Sequence, residues 1–273
     1  MKRIAAGLFS LSMFLGAQSW IDQAKAIQDQ VHRLRSLPDA ERAKVTRQLA
    51  LQIRQLPSAA PKVGLADELA NFATEGDFGR DTLQTVTSTL AQALAEKPGE
   101  PDSYLSLARL VRYEHMQASL DSPQLKAAVA QLEADDQARQ RADFTLTDLS
   151  GKNWQLKNLS GKIVLLNFWA TWCPPCRKEM PDLDTLYQRY AKNGLVVLAI
   201  SNEDAATVKP FIADHRVSYP VLLDPGGKVN QLFRVQGIPK SFLYDRNGKL
   251  VAQAIDMRTQ AQFLEMLGHA GLK

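Results

Sequence analysis

The sequence predicts an α/β domain with a mixed central sheet, preceded by an all-α half. Three observations carry this. Apolar runs of strand length at 163–169, 195–200 and 220–223 alternate with segments of helical period. The alternation ends in two short apolar runs around Asp245-Arg246-Asn247-Gly248-Lys249, a hairpin turn, and then a last helix. From Ile21 to about Ala138 no strand pattern competes, and helical stripes are separated by Pro and Gly. With 273 residues, 45% apolar and 23% charged, the chain has material for two globular domains and is neither disordered nor membrane-filling.

Taken in order, Met1-Lys2-Arg3 and the apolar stretch Ile4 to Ala17, with small residues at Ala17-Gln18-Ser19, read as an export signal over 1–19. The competing reading is an uncleaved anchor. Its short length and Gly7, Ser10, Ser12 and Gly16 argue against that. The expected location is the periplasm, with a protein that is soluble after cleavage.

Residues 20–140 are expected to form an all-α domain, a bundle or short solenoid, interrupted at Leu37-Pro38, Leu56-Pro57, Glu75-Gly76, Lys97-Pro98-Gly99 and Ser122-Pro123. Val45, Leu49, Ile53 and Leu56 form one buried stripe; Leu83, Val86, Leu90 and Leu94 form another, and Leu125, Val129 and Leu132 a third. The plain reading is self-packing, and the sharper one is a partner-binding groove, with a dimer through this domain as one expected assembly. Arg33, Arg35, Arg42, Lys44, Arg47 and Arg54 are assigned to a solvated helix face. The net charge of +4 and the lack of aromatic residues among the basic ones exclude nucleic acid as the expected partner.

The second domain is placed at 141–273, where the polar run Gln137 to Arg141 gives way to strand signals. Phe144-Thr145-Leu146 and Trp154-Gln155-Leu156 form a small hairpin across Asp148 to Gly151. Lys162 to Trp169 is a strand buried on both faces. A helix follows, interrupted by Pro181 and closed near Gly194, and then strand 195–200. A helix to about His215, strand 220–223, a helical turn at 228–233, the hairpin 241–255 and a helix from about Thr259 to Leu267 complete the order.

The only two cysteines stand in Trp172-Cys173-Pro174-Pro175-Cys176, at the head of the helix that follows the central strand. At i and i+3 on a first turn they share a face and can bond through a very short loop. A structural zinc would need four ligands, and only His32, His115, His215 and His269 remain, so no metal or cofactor is expected. A disulfide across so short a loop removes little denatured-state entropy, which makes it a poor staple. Redox chemistry is left. Cys173 faces unpaired N–H groups and the positive end of the helix, which favour its thiolate below the free thiol value of about 8.5 and make it the nucleophile. Cys176, one turn deeper and less exposed, is expected to resolve the mixed disulfide.

The run Phe168-Trp169-Ala170-Thr171-Trp172-Cys173-Pro174-Pro175-Cys176-Arg177-Lys178-Glu179-Met180-Pro181, then Gly237-Ile238-Pro239, then Phe242-Leu243-Tyr244-Asp245 and Gly248, resembles the TlpA/ResA-like branch of the thioredoxin superfamily. That branch comprises exported thiol–disulfide oxidoreductases, including the cytochrome c maturation reductases. The resemblance covers roughly 142–273 and leaves the helical half outside it.

What the resemblance implies is a thioredoxin-like fold, Cys173 as attacking thiol, Cys176 as resolving thiol and Pro239 as a cis-proline beside them. A cis bond there would expose the backbone of Ile238 to an extended substrate segment. Asn167 occupies the position at which thioredoxin carries a buried, proton-moving aspartate, a task an amide cannot perform. Glu179 matches a glutamate near the disulfide of ResA-like proteins; an acid/base group and a solvated helix residue are both open readings. Trp169 and Trp172 are expected to pack around the rim of the site. Pro174-Pro175 supplies neither charge nor side-chain donor, which implies a reducing couple. The expected partners are client proteins with disulfides, apocytochrome c or copper-site proteins among them, and a membrane-bound electron donor.

Two other functions are weighed. A thiol peroxidase would need Pro-x-x-x-Thr-x-x-Cys, and the residues before Cys173 do not supply it. A client-binding or dimerising module with disulfide isomerase activity would make the helical half the working part.

Overall fold

The structure, a computed structural model, describes the backbone of residues 5–272 and side chains from 19 to 272. The expected export signal over 1–19 lies, apart from backbone and Ser19, outside the described residues. The chain divides into two units, one of residues up to 74 with 78–129, the other of 75–77 with 130–273.

The first unit holds α1 (Ala5–Arg33), α2 (Asp39–Gln55), α3 (Lys62–Ala73), α4 (Arg80–Glu96), α5 (Pro101–Tyr113) and the start of α6 (Pro123–Arg141). Helices α2, α5 and α6 begin at or within two residues of an expected break, and α3 and α4 begin four or five residues beyond theirs, because proline suits the first helical turn and ends the helix before it. Leu49 and Ile53 of α2, Leu69 of α3 and Val86 and Leu90 of α4 are buried. Each such side chain contributes about 1.5–3 kcal/mol.

The expected basic face is corrected at two positions. Arg42 is only 6% exposed and lies 4.9 Å over the Phe78 ring, with Nη2 donating to Phe72 O. Arg54 turns inward, donating to Thr89 Oγ1 and Thr85 O at 2.8 Å each. A long aliphatic stem lets such residues cover apolar surface while the guanidinium finds carbonyl and hydroxyl partners.

The second unit is a seven-stranded sheet in the order β2-β1-β5-β4-β3-β6-β7. Its strands are β1 (Thr145–Asp148), β2 (Asn153–Gln155), β3 (Ile163–Phe168), β4 (Leu195–Ser201), β5 (Val221–Leu223), β6 (Lys240–Tyr244) and β7 (Leu250–Ala254). Strands β3, β4 and β5 run parallel, and the remaining pairs are antiparallel. Its helices are α7 (Pro174–Tyr190), α8 (Ala205–His215), α9 (Lys228–Leu232) and α10 (Gln260–His269).

Two cores flank the central strand. Ile163, Leu165 and Trp169 join Met180, Leu183 and Phe263 on one face. Val164, Leu166 and Phe168 join Phe144, Phe233 and Phe242 on the other. The period-two alternation of β3 accounts for both, and it places the one polar residue, Asn167, on the α7 face.

Two boundaries differ from expectation. Pro181 does not interrupt the helix; α7 runs through it to Tyr190. Pro181 and Arg177, the residue whose carbonyl loses its helical partner, are both exposed, so water can take that bond. The division between units falls between Val129 and Ala130, inside α6, and not at 140/141. The charged end of that helix is a contact surface of the second unit. Arg139, 5% exposed, donates from Nε to Phe233 O at 2.9 Å, lies 5.0 Å over the Phe242 ring and accepts from Tyr244 OH at its carbonyl. Asp136 accepts from Arg139 Nη1 and Gln253 Nε2, and Asp135 pairs with Arg234.

Candidate active site

β3 delivers the site. After Phe168 the chain leaves the sheet, and Thr171 is clamped where it turns toward α7: its N–H and its Oγ1 each donate to the Glu203 carboxylate at 2.7 Å. Glu203 stands just beyond the C-terminal end of β4 and also accepts from Ser201 Oγ. Cys173 is the N-cap of α7, with Pro174 and Pro175 opening the helix.

Cys173 and Cys176 form a disulfide with Cα atoms 5.3 Å apart. The Cys173 sulfur accepts from Cys176 N–H at 3.2 Å. Because prolines at 174 and 175 have no N–H, that amide is the first one the helix can offer it. The same sulfur lies 3.8 Å from the carbonyl oxygen of Ile238, and the Ile238–Pro239 bond is cis. Trp172 is 68% exposed beside the disulfide.

Exposure does not separate the cysteines, at 2% for Cys173 and 1% for Cys176. Position does: Cys173 is the N-cap of α7 with the Ile238 carbonyl beside its sulfur and the exposed Trp172 as its chain neighbour, whereas Cys176 lies within the first turn. The two tryptophans part company. Trp172 stands at the rim, but Trp169 is buried against Phe211, with ring centroids 5.5 Å apart.

One turn after Cys176 on α7, Glu179 is 2% exposed, which removes the solvated-helix reading. Its Oε1 accepts from Asn167 Nδ2 at 2.8 Å and its Oε2 from the Arg258 backbone N–H at 3.1 Å. Asn167 also donates to Ser241 Oγ at 3.1 Å. Burial pushes the Glu179 carboxyl up to about 8, against the opposing pull of those two hydrogen bonds, and the charge of Asp256 adds to the rise. Asn167 and Glu179 were expected separately; the structure makes them one buried pair.

Sequence reasoning missed three contributors. Glu203 carried a signal, since polar residues past the C-terminal end of a parallel strand are where sites form in α/β sheets. Ser241 and the Arg258 amide carried none, because each acts through the register of a distant segment.

The AhpC/TSA family matches residues 138–253. The thiol-disulfide oxidoreductase ResA of Bacillus thuringiensis (strain Al Hakam) is 42% identical over 125 residues, which are 45% of this chain and 72% of that protein. ResA of Halalkalibacterium halodurans is 37% identical over 113 residues, 41% of this chain and 64% of its own. Among solved structures, a putative thiol:disulfide interchange protein DsbE from Chlorobium tepidum is 32% identical, covering 47% of this chain and 93% of that one, with a TM-score of 0.45. The ResA relatives are similar over less than half of this chain but most of their own. The chain therefore belongs to the ResA-like thiol–disulfide oxidoreductases, enzymes built on a thioredoxin-like fold.

Proposed function

We propose that this oxidoreductase works as an exported reductant of selected protein disulfides through the Cys-Pro-Pro-Cys dithiol. The observation that carries the direction is the proton-free dipeptide at the head of α7. Two prolines leave Cys176 N–H as the nearest helix donor to the Cys173 sulfur. Strong oxidants of this class owe their potential to extra stabilisation of the reduced form, and fewer donors mean a more reducing couple.

In the proposed reaction the Cys173 thiolate attacks a client disulfide. A bond forms between Cys173 and one client sulfur, and the other client sulfur leaves as a thiolate. Cys176 then gives its proton to the Glu179 carboxylate and attacks the Cys173 sulfur, which releases the second client thiolate. The client has gained two electrons and takes its protons from solvent; the enzyme holds the Cys173–Cys176 disulfide. With its carboxyl raised to about 8, Glu179 is mostly protonated at neutral pH, and the ionised fraction, roughly a tenth at pH 7, is the base that takes the proton; a carboxyl so raised lies near the ordinary thiol value of about 8.5, which favours the transfer. Ile238 supplies a backbone edge against which an extended client segment can lie, and Trp172 an apolar surface beside it. Asn167 holds Glu179 in place.

The reading extends to the periplasm as the location and a membrane-bound donor that re-reduces the pair. Apocytochrome c and copper-site proteins are the client classes it names, with the helical unit selecting among them or forming a dimer. The leader-like residues 1–19 and the family resemblance support these points.

The test is direct. Cys173→Ser should abolish reduction of an insulin disulfide, and Cys176→Ala should leave clients covalently attached to Cys173 in cells. A midpoint potential below about −200 mV is expected; one near the −120 mV typical of strong oxidants, about 80 mV higher, would reverse the direction.

A further inference from the structure

The loop between β7 and α10 presents two successive backbone amides to two carboxyl groups. Met257 N–H donates to Asp256 Oδ1 at 2.7 Å, and Arg258 N–H donates to Glu179 Oε2 at 3.1 Å. Nitrogens of adjacent residues are under about 4 Å apart, so the two carboxyl groups are anchored side by side on one stretch of backbone. Arg258 is itself buried, at 6% exposure, while Asp256 is half-buried. An acid and a guanidinium thus act on a carboxyl that is shut off from solvent.

Their charges pull in opposite directions. Asp256 opposes ionisation of Glu179, and Arg258 favours it. The other groups around Glu179 carry no charge: Asn167 on β3, Ser241 on β6, the disulfide-bonded Cys176 on α7, and Tyr219 before β5, whose phenol burial raises far above its ordinary range. Without Asp256, the Arg258 charge would draw the carboxyl toward its ionised form against burial alone. Without Arg258, burial and the Asp256 charge together would hold it further toward the neutral form.

We infer that Asp256 and Arg258 are positioning residues of the redox site, whose opposed charges hold Glu179 poised to take a proton from Cys176 and to give it back. This rests on the reading of Glu179 as the proton-handling group.

The experiment is a carbon-13 titration of the Glu179 carboxyl in the oxidised full-length protein. Asp256→Asn should move the inflection to lower pH and Arg258→Met to higher pH, each by at least about half a pH unit, since both keep the backbone amides and remove one charge. Arg258→Lys should return it close to the wild-type position. A common direction for the two neutral variants, or no movement in either, overturns the inference. Should Arg258→Met not fold, Asp256→Asn and Arg258→Lys decide it: a downward shift in the first with none in the second supports it, and any other pattern overturns it. Glu179→Gln separates the two layers. If it leaves the pH profile of insulin reduction unchanged, the proton-handling reading fails and takes this one with it. If the profile changes but the carboxyl inflection ignores Asp256 and Arg258, only the inference fails.

Discussion

Glu179 ties stability to pH through a single carboxyl. Its folded-state pKa, about 8, lies above the 4.5 of a free glutamate, so the fold favours the neutral form. The stabilisation is therefore full below about pH 4.5, where folded and unfolded chains both hold the proton. It falls as pH rises and is gone once the folded carboxyl ionises near 8. The oxidised protein should lose on the order of 3–5 kcal/mol across that window, read from urea midpoints at pH 5 and 8. Glu179→Gln should flatten the slope at a constant cost of about 1–2 kcal/mol, because the amide NH2 takes the place of one of the two oxygens and sets a donor against Asn167 Nδ2 or the Arg258 N–H. An unchanged slope in that variant would sink the assignment. At the neighbouring position, Pro175→His returns an N–H to the helix head and adds a ring donor between the cysteines. Both stabilise the Cys173 thiolate. The midpoint should rise by tens of millivolts, 30 mV being about 1.4 kcal/mol for a two-electron couple, as measured against a glutathione buffer.

At the scale of elements, the charged end of α6 should prove structural. Arg139→Ala removes a guanidinium that bonds Phe233 O and Asp136 and lies over the Phe242 ring, leaving a buried carbonyl and a half-buried carboxylate without it. A loss of about 2–4 kcal/mol is expected in urea unfolding of the second unit, with the intrinsic reactivity of the dithiol unchanged. The same helix shows what could be read in advance and what could not. β3 was legible because six apolar-dominated residues buried on both faces can only be an inner strand, and α7 because Cys173 and Pro174 mark its first turn. Helix α10 was legible through Thr259 and Gln262, which form its capping box. The run Gln137 to Arg141 reads as the polar end of the helical half, where the boundary is placed, yet its partners, Phe233, Tyr244, Gly248 and Leu250, lie roughly a hundred residues away. Glu203 was hidden in the same manner. Its role exists only once β4 lies parallel to β3 and brings its end beside Thr171. Local signals such as caps, prolines and periodicity survive in the chain; pairings made by register do not.

For the molecule as a whole, the division inside α6 makes a claim about what folds alone. The second unit takes in residues 130–141, so a fragment of 130–273 should unfold in one cooperative transition and keep the disulfide chemistry. A fragment of 142–273, cut where strand signals begin, contains every strand and both cysteines but lacks Arg139, Asp135, Asp136 and Gln140. It leaves Phe233 O and Tyr244 OH without their partners and uncovers the Phe242 ring. Leu250 N–H and Gly248 O at the hairpin also lose the side chain of Gln140, which bonds both. Several buried or half-buried polar groups would then seek water through an apolar layer containing Phe144, Phe168 and Phe233. The shorter fragment should therefore be less stable by at least about 3 kcal/mol, visible as a lower urea midpoint at equal slope. Equal midpoints would return the boundary to 141 and reduce α6 to a connector. A lower midpoint would mean that the catalytic unit begins with the last three turns of a helix that the sequence alone assigns to the helical half.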